Sequence, residues 1–130
     1  MKIERIVSRE ILENVLVTAL EGGSNYWYYL TDDAVKLIRK VVPNNEDPYL
    51  STAILKAVLD HHIDIPINDA ENEDDVLGYL SHKTMMSRLQ ELSEDKGCMW
   101  ALDRELEGQG DADSSDVVFQ CLVMGECVFG

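Results

Sequence analysis

Three groups of residues in this sequence have types and spacings that chemistry can use. Asp111, Asp113 and Asp116 bring hard oxygen donors together in one short stretch, the ligand class that calcium and magnesium take. Their spacing is not that of an EF-hand loop, because the glycine and the closing glutamate are missing, and acidic residues at a helix start serve as caps. Capping is therefore the role expected of them, and no metal site is expected. Asp60-His61-His62 offers ligands for two-metal phosphoester chemistry, which needs further Asp and His on other elements. His82 is the only other histidine, so the pair is assigned to a helix end, where positive charge complements the dipole. Glu21 and Glu126 would make an acid/base pair of the glycosidase kind only if the fold joined them. No serine or cysteine sits in a recognisable activating context. Glu21-Gly22-Gly23 follows no strand and precedes no Lys-Ser/Thr pair, so it is not a phosphate loop. No enzyme and no cofactor are expected.

What remains suits binding. Glu21-Gly22-Gly23-Ser24-Asn25-Tyr26-Trp27-Tyr28-Tyr29 joins two glycines to a polar pair and a run of aromatics. Paired glycines allow positive φ and close backbone approach. The aromatics carry large rigid faces with polar tips, suited to stacking on a flat ligand or anchoring a partner. If this stretch meets the last helix, Tyr26 or Trp27 can stack a nucleobase and the backbone at Gly22 and Gly23 can approach a phosphate. Asp113, Asp116 and Gln120 would then bond a base or ribose hydroxyls. The candidate ligand-binding set is thus Glu21, Gly22, Gly23, Asn25, Tyr26, Trp27, Asp113, Asp116 and Gln120. Within it Trp27 is expected to be core. In an extended segment it would face away from its neighbours, leaving Asn25 and the glycine backbone nearer to solvent.

Charge narrows the partners. The 130-residue chain has 25 Asp and Glu against 11 Lys and Arg, a formal net charge of −14. That field repels nucleic acid and anionic membranes and favours a basic partner. The acidic residues are dense from Asn68 to Asp75 and from Asp103 to Asp116. Cys98, Cys121 and Cys127 are odd in number and have no CxxC spacing, which argues against a disulfide framework and a structural zinc site. The start Met1-Lys2-Ile3-Glu4-Arg5 has no long apolar run behind it, so no signal peptide is expected. Nor does any segment approach the roughly 20 apolar residues of a membrane span. A reduced cytoplasmic setting is expected.

The elements that must position these residues follow from spacing. Ser8 caps a helix with Glu10 in its first turn and Ile11, Leu12, Val15, Leu16, Ala19 and Leu20 on one face. Gly22 and Gly23 end it. Tyr26 to Leu30 reads as a short strand. Thr31 caps a second helix that Pro43 stops. Asp47-Pro48 opens a third, with Asp as cap and Pro at the first helical position. Ile63, Ile65 and Ile67 alternate with polar residues as a half-buried strand, which Pro66 demotes to an edge or a bulge. Val76 to Leu80 returns as the other arm of a hairpin. Ser81 caps a fourth helix carrying Met85, Leu89 and Leu92 inward. A short amphipathic piece with Met99, Leu102 and Leu106 follows. Gly108-Gln109-Gly110 breaks it, and a last helix packs Val117, Val118, Cys121 and Leu122 before Gly125. The fold class is α+β, mainly helical with about five helices and a small sheet, and residues 1–130 form a single compact domain.

Ala19-Leu20-Glu21-Gly22-Gly23-Ser24-Asn25-Tyr26-Trp27 resembles a motif of a family of small bacteriophage and prophage proteins. Gly110-Asp111-Ala112-Asp113, Asp116-Val117, Gln120 and Gly125-Glu126-Cys127-Val128-Phe129-Gly130 resemble that family's C-terminal ending. Asp75-Val76-Leu77-Gly78-Tyr79-Leu80 and the helix after it also fit. Met124 departs from the pattern where an aromatic is usual, and Ser114-Ser115 stands for a more varied pair. The resemblance implies a viral or mobile-element origin and action in the cytoplasm of a bacterial host. The first functional expectation is a non-enzymatic anti-defence protein that sequesters a nucleotide-derived immune signal. The alternative is an acidic protein–protein inhibitor that mimics nucleic acid against a basic host protein. Homo-oligomers are compatible with both.

Overall fold

Local hydrogen bonds start the helices where polar side chains stand ready to make them. The computed structural model describes residues 7–130; the reading of Met1-Lys2-Ile3-Glu4-Arg5 lies outside them. Ser8 Oγ accepts from Ile11 N at the start of α1 (Arg9–Thr18). Thr31 Oγ1 accepts from Ala34 N at the start of α2 (Asp32–Val41). Ser81 Oγ accepts from Lys83 N at the start of α4 (His82–Glu94). The remaining elements are β1 (Tyr28–Tyr29), α3 (Leu50–His61), β2 (Ile65–Asp69), β3 (Val76–Leu80), α5 (Met99–Leu106) and α6 (Ala112–Met124). Among the described residues the chain is therefore a single α+β domain of six helices and a three-stranded antiparallel sheet in the order β1-β2-β3.

Three boundaries differ from the expectation. Helix α1 does not stop cleanly but widens into a π-helical turn over Ala19–Gly23, closed by Ser24 N donating to Ala19 O. Neither Gly22 nor Gly23 takes a positive φ. Helix α3 begins at Leu50, behind Tyr49 rather than Asp47. The Asp47 carboxyl group instead closes the preceding turn, accepting from Tyr49 N at 3.0 Å and Thr52 Oγ1 at 2.6 Å and pairing with Lys56 Nζ at 3.1 Å. The strand expected over Tyr26 to Leu30 shrinks to Tyr28–Tyr29, because Trp27 N turns back to Ser24 O.

Strand β2 is central, not an edge. Pro66 is tolerated there because β1 reaches only Asn68 and Asp69, leaving the proline with β3 on one side and no strand on the other. The bulge lies one step on: Ile67 pairs with Gly78 and Asn68 with Val76, so Leu77 is the extra residue.

Helix α6 is the axis of the domain, in contact with α1, α4, α5, the π-turn and β3. Burial extends well beyond the face expected from Val118, Cys121 and Leu122, to Ser114, Ser115, Asp116, Phe119, Gln120 and Val123, while Val117 is only half-buried. A helix enclosed on most sides must hydrogen-bond every polar side chain it carries inward. Ser114 and Ser115 both donate to the buried Glu105 carboxyl group of α5. Gly125 ends the helix at φ 82°, a left-handed cap that glycine adopts without strain.

Candidate functional site

The sequence-nominated segments do converge. The turn after the π-helix lies against the first half of α6, and a β-carbon on Gly23 would sit 2.8 Å from Ala112 O. This close approach, rather than an unusual φ, is what the glycine supplies.

Asp116 is the organising group. Its Oδ1 accepts from Ser24 Oγ at 2.7 Å and from Trp27 Nε1 at 2.8 Å, and its Oδ2 from Tyr26 Oη at 2.5 Å. Expected as a helix cap, it is instead a buried acceptor for three side chains. Capping falls to Asp111, which accepts from Ser114 N while Ser114 Oγ accepts from Asp111 N. Alternation fails for the aromatics too. Tyr26 and Trp27 both turn toward Asp116, because the turn at Ser24 places adjacent side chains on one side.

Trp27 is buried, as expected of a core residue. Its indole lies between Phe119, at a centroid distance of 5.3 Å, and Phe129, stacked at 5.5 Å. With both faces covered it is no stacking platform, which corrects its place in the ligand-binding set. Gln120 is corrected likewise. It is fully buried, its Oε1 accepts from Val128 N and Phe129 N at 2.8 Å, and its Nε2 donates to Phe129 O and Tyr26 Oη. Three of its four bonds fasten residues 128–129 over Trp27, and the fourth reaches Tyr26.

In front of this wall opens a cleft of about 520 Å³, lined by Gly23, Tyr26, Trp100, Asp113, Asp116, Val117, Cys127, Phe129 and Gly130. Four of the nominated residues, Gly23, Tyr26, Asp113 and Asp116, line it. Glu21, Gly22 and Asn25 are exposed and do not, nor does Glu126. Two aromatic faces are open here: Tyr26 is 51% and Trp100 42% exposed. Burial of its hydroxyl, then the hydrogen bond to Asp116 and the charge there, push the Tyr26 phenol above its ordinary range. It therefore stays a neutral donor to Asp116. The Asp113 carboxyl group, exposed in the first turn of α6, forms no hydrogen bond or ion pair among the described residues. Among the described residues no Lys or Arg lines the cleft.

Sequence reasoning missed Trp100. The signal was present: Met99, Leu102 and Leu106 define the inward stripe of the short helix, and Trp100 falls off it. The tail residues Phe129 and Gly130 carried no comparable signal.

The other candidates take structural roles. Arg9 Nη1 and Nη2 form a two-point pair with Asp60, at 2.7 and 2.8 Å. His61 stands in the last turn of α3 and His62 is its left-handed C-cap at φ 53°, with its ring stacked on His82 at 3.9 Å. The thiols of Cys98, Cys121 and Cys127 are free, and burial raises all three above the ordinary thiol range, Cys121 to about 12. Among the described residues no group of three or more His, Cys, Asp or Glu is placed to hold a metal ion, and no helix is long and apolar enough to cross a membrane. Comparison with known protein families, with curated proteins and with solved structures finds no match.

Proposed function

We propose that this is a non-enzymatic binding protein that captures a basic group of a partner protein in the cleft between Tyr26, Trp100 and Asp113. One observation carries the reading: two open aromatic faces and two carboxyl groups line a cavity that has no Lys or Arg among the described residues. A guanidinium or ammonium group fits such a lining, through cation–π contact with the rings and a charge-assisted bond to Asp113. Asp116 already serves three donors, so its part is to hold Tyr26 in place. The net charge of −14 would steer a basic surface toward the protein.

A nucleotide-derived signal suits this cleft less well, because its phosphates would face Asp113 with no cation beside them. Arg104, the nearest candidate by sequence, is paired with Asp111 at 3.4 Å. The resemblance to bacteriophage and prophage proteins supports a setting in the cytoplasm of a bacterial host. There a basic defence or DNA-binding protein is the class of partner that fits, and the protein would act as an acidic inhibitor.

An arginine-rich peptide titrated by calorimetry at low and high salt tests this. Binding should weaken steeply with salt. Trp100→Ala and Asp113→Asn should each lower affinity about tenfold with an unchanged melting temperature. Equal binding by the double variant, or no binding at low salt, refutes the proposal.

A further inference from the structure

A second cleft, of about 390 Å³, opens where the last residues of α6 meet β3 and the start of α4; its polar lining is Asp64, Tyr79, Ser81, Lys83, Thr84 and Arg88. Among the described residues Lys36, Arg39, Lys40, Lys83, Arg88 and Lys96 form no ion pair with a carboxylate, and of these Lys83 and Arg88 line one cavity together. Arg9, Lys56 and Arg104 are paired with Asp60, Asp47 and Asp111. Lys83 and Arg88 make no ion pair and no side-chain hydrogen bond among the described residues, and they share this one cavity.

The surroundings leave that charge available to a ligand. Asp64, the only acid in the lining among the described residues, accepts a hydrogen bond from Ser81 Oγ at 2.8 Å. The Arg88 guanidinium lies against Gly125 so closely that a β-carbon there would overlap it. It is half-buried, which restricts its motion and strengthens its field relative to a fully hydrated side chain. Tyr79, 52% exposed on β3, offers a flat face at the same cavity. Ser81 Oγ already accepts from Lys83 N, so a ligand would be held by the side chains and not by the helix end.

We infer that this cleft binds a small phosphorylated metabolite of the mononucleotide class. Lys83 and Arg88 hold the phosphate, the Thr84 hydroxyl adds a donor, and Tyr79 lies along the planar base. The cavity is within the size range of small-molecule sites. The overall negative field selects against long polyanions, whose many charges would meet the acidic surface, and tolerates a ligand with only a few. The acidic aromatic cleft plays no part in this assignment. The two sites are separate in position and opposite in charge preference.

The test is an amide NMR titration of the full chain with pyrophosphate, AMP and adenosine. Pyrophosphate and AMP should shift the amides of residues 78–88, and adenosine should bind at least about tenfold more weakly than AMP. Lys83→Gln combined with Arg88→Gln should lower affinity for both phosphate probes by about tenfold or more. Lys83→Gln alone removes an exposed group, so it keeps the test valid if Arg88 proves necessary for folding. Tyr79→Ala should weaken AMP and leave pyrophosphate unchanged. Unmoved amides with both phosphate probes, equal affinity for adenosine and AMP, or unchanged phosphate affinity in a folded Lys83→Gln variant overturns the assignment.

Discussion

Trp27 and Asp116 are 89 positions apart in sequence, yet the indole Nε1 donates to the Asp116 carboxyl group at 2.8 Å inside the core. The same carboxyl group takes the Ser24 and Tyr26 hydroxyls. One side chain of the central helix thus fixes the whole turn that forms a wall of the acidic cleft. The expected consequence concerns stability first. Asp116→Ala leaves three donors without their acceptor and should cost about 3–5 kcal/mol in urea unfolding. Trp27→Ala should cost a similar amount by opening a cavity between Phe119 and Phe129.

The paired glycines should behave differently from each other. A β-carbon on Gly23 meets Ala112 O at 2.8 Å and Thr18 O at 3.4 Å, whereas one on Gly22 meets nothing within 4 Å. Gly23→Ala should destabilise by roughly 1–3 kcal/mol. Gly22→Ala should be neutral or stabilising by up to about 1 kcal/mol, since its backbone needs no positive φ. Melting temperatures of the two variants, measured side by side, decide it.

Gln120 ties the C-terminal residues to α6 through three hydrogen bonds. Gln120→Ala should release residues 128–129, uncover the Phe129 face of Trp27 and shift tryptophan emission to the red. The loss of stability should be about 2–4 kcal/mol. Trp100→Phe as background leaves Trp27 as the sole emitter.

Acid sensitivity should trace in part to Asp47. Burial opposes its ionisation, but hydrogen bonds from Thr52, Lys56 and Tyr49 N outweigh burial and hold its carboxyl below the usual range. A depressed folded value means stability that is complete above the unfolded value of about 3.9 and is lost as pH falls through the folded one. Asp47→Asn should therefore cost about 1–3 kcal/mol at neutral pH. Urea unfolding at neutral pH and again below about pH 3 should show the gap to the parent protein closing.

Thiol chemistry should follow burial. Cys121, raised to about 12 by burial and then by the neighbouring thiols, should resist DTNB at mildly alkaline pH in the native protein and react on denaturation. Cys98 and Cys127, half-buried with thiols raised less, should react slowly in the native state. Fast native labelling of Cys121 would show that the core opens on that side of α6.

The sequence by itself determined the local grammar: the caps at Ser8, Thr31 and Ser81, a last helix opening near Asp111 or Asp113 and ending at Gly125, and the inward stripe of Met85, Leu89 and Leu92. Each depends on groups within a few positions of one another, so spacing alone carries the information. It also determined that Gly23, Tyr26, Asp113 and Asp116 deserved to be considered together. Tertiary structure alone decided what each became. Asp116 reads as one more acid at a helix start until packing surrounds it with the Ser24, Tyr26 and Trp27 donors. Gln120 reads as a ligand contact until the C-terminal residues engage it. Trp27, expected as core yet kept in the ligand set, leaves that set once Phe119 and Phe129 cover its faces. Trp100 joins the cleft only because α5 packs against α6. The physical reason is common to all four. Whether a polar or aromatic group serves the fold or a ligand depends on which distant groups satisfy it first, and those partners lie far beyond the reach of any sequence period.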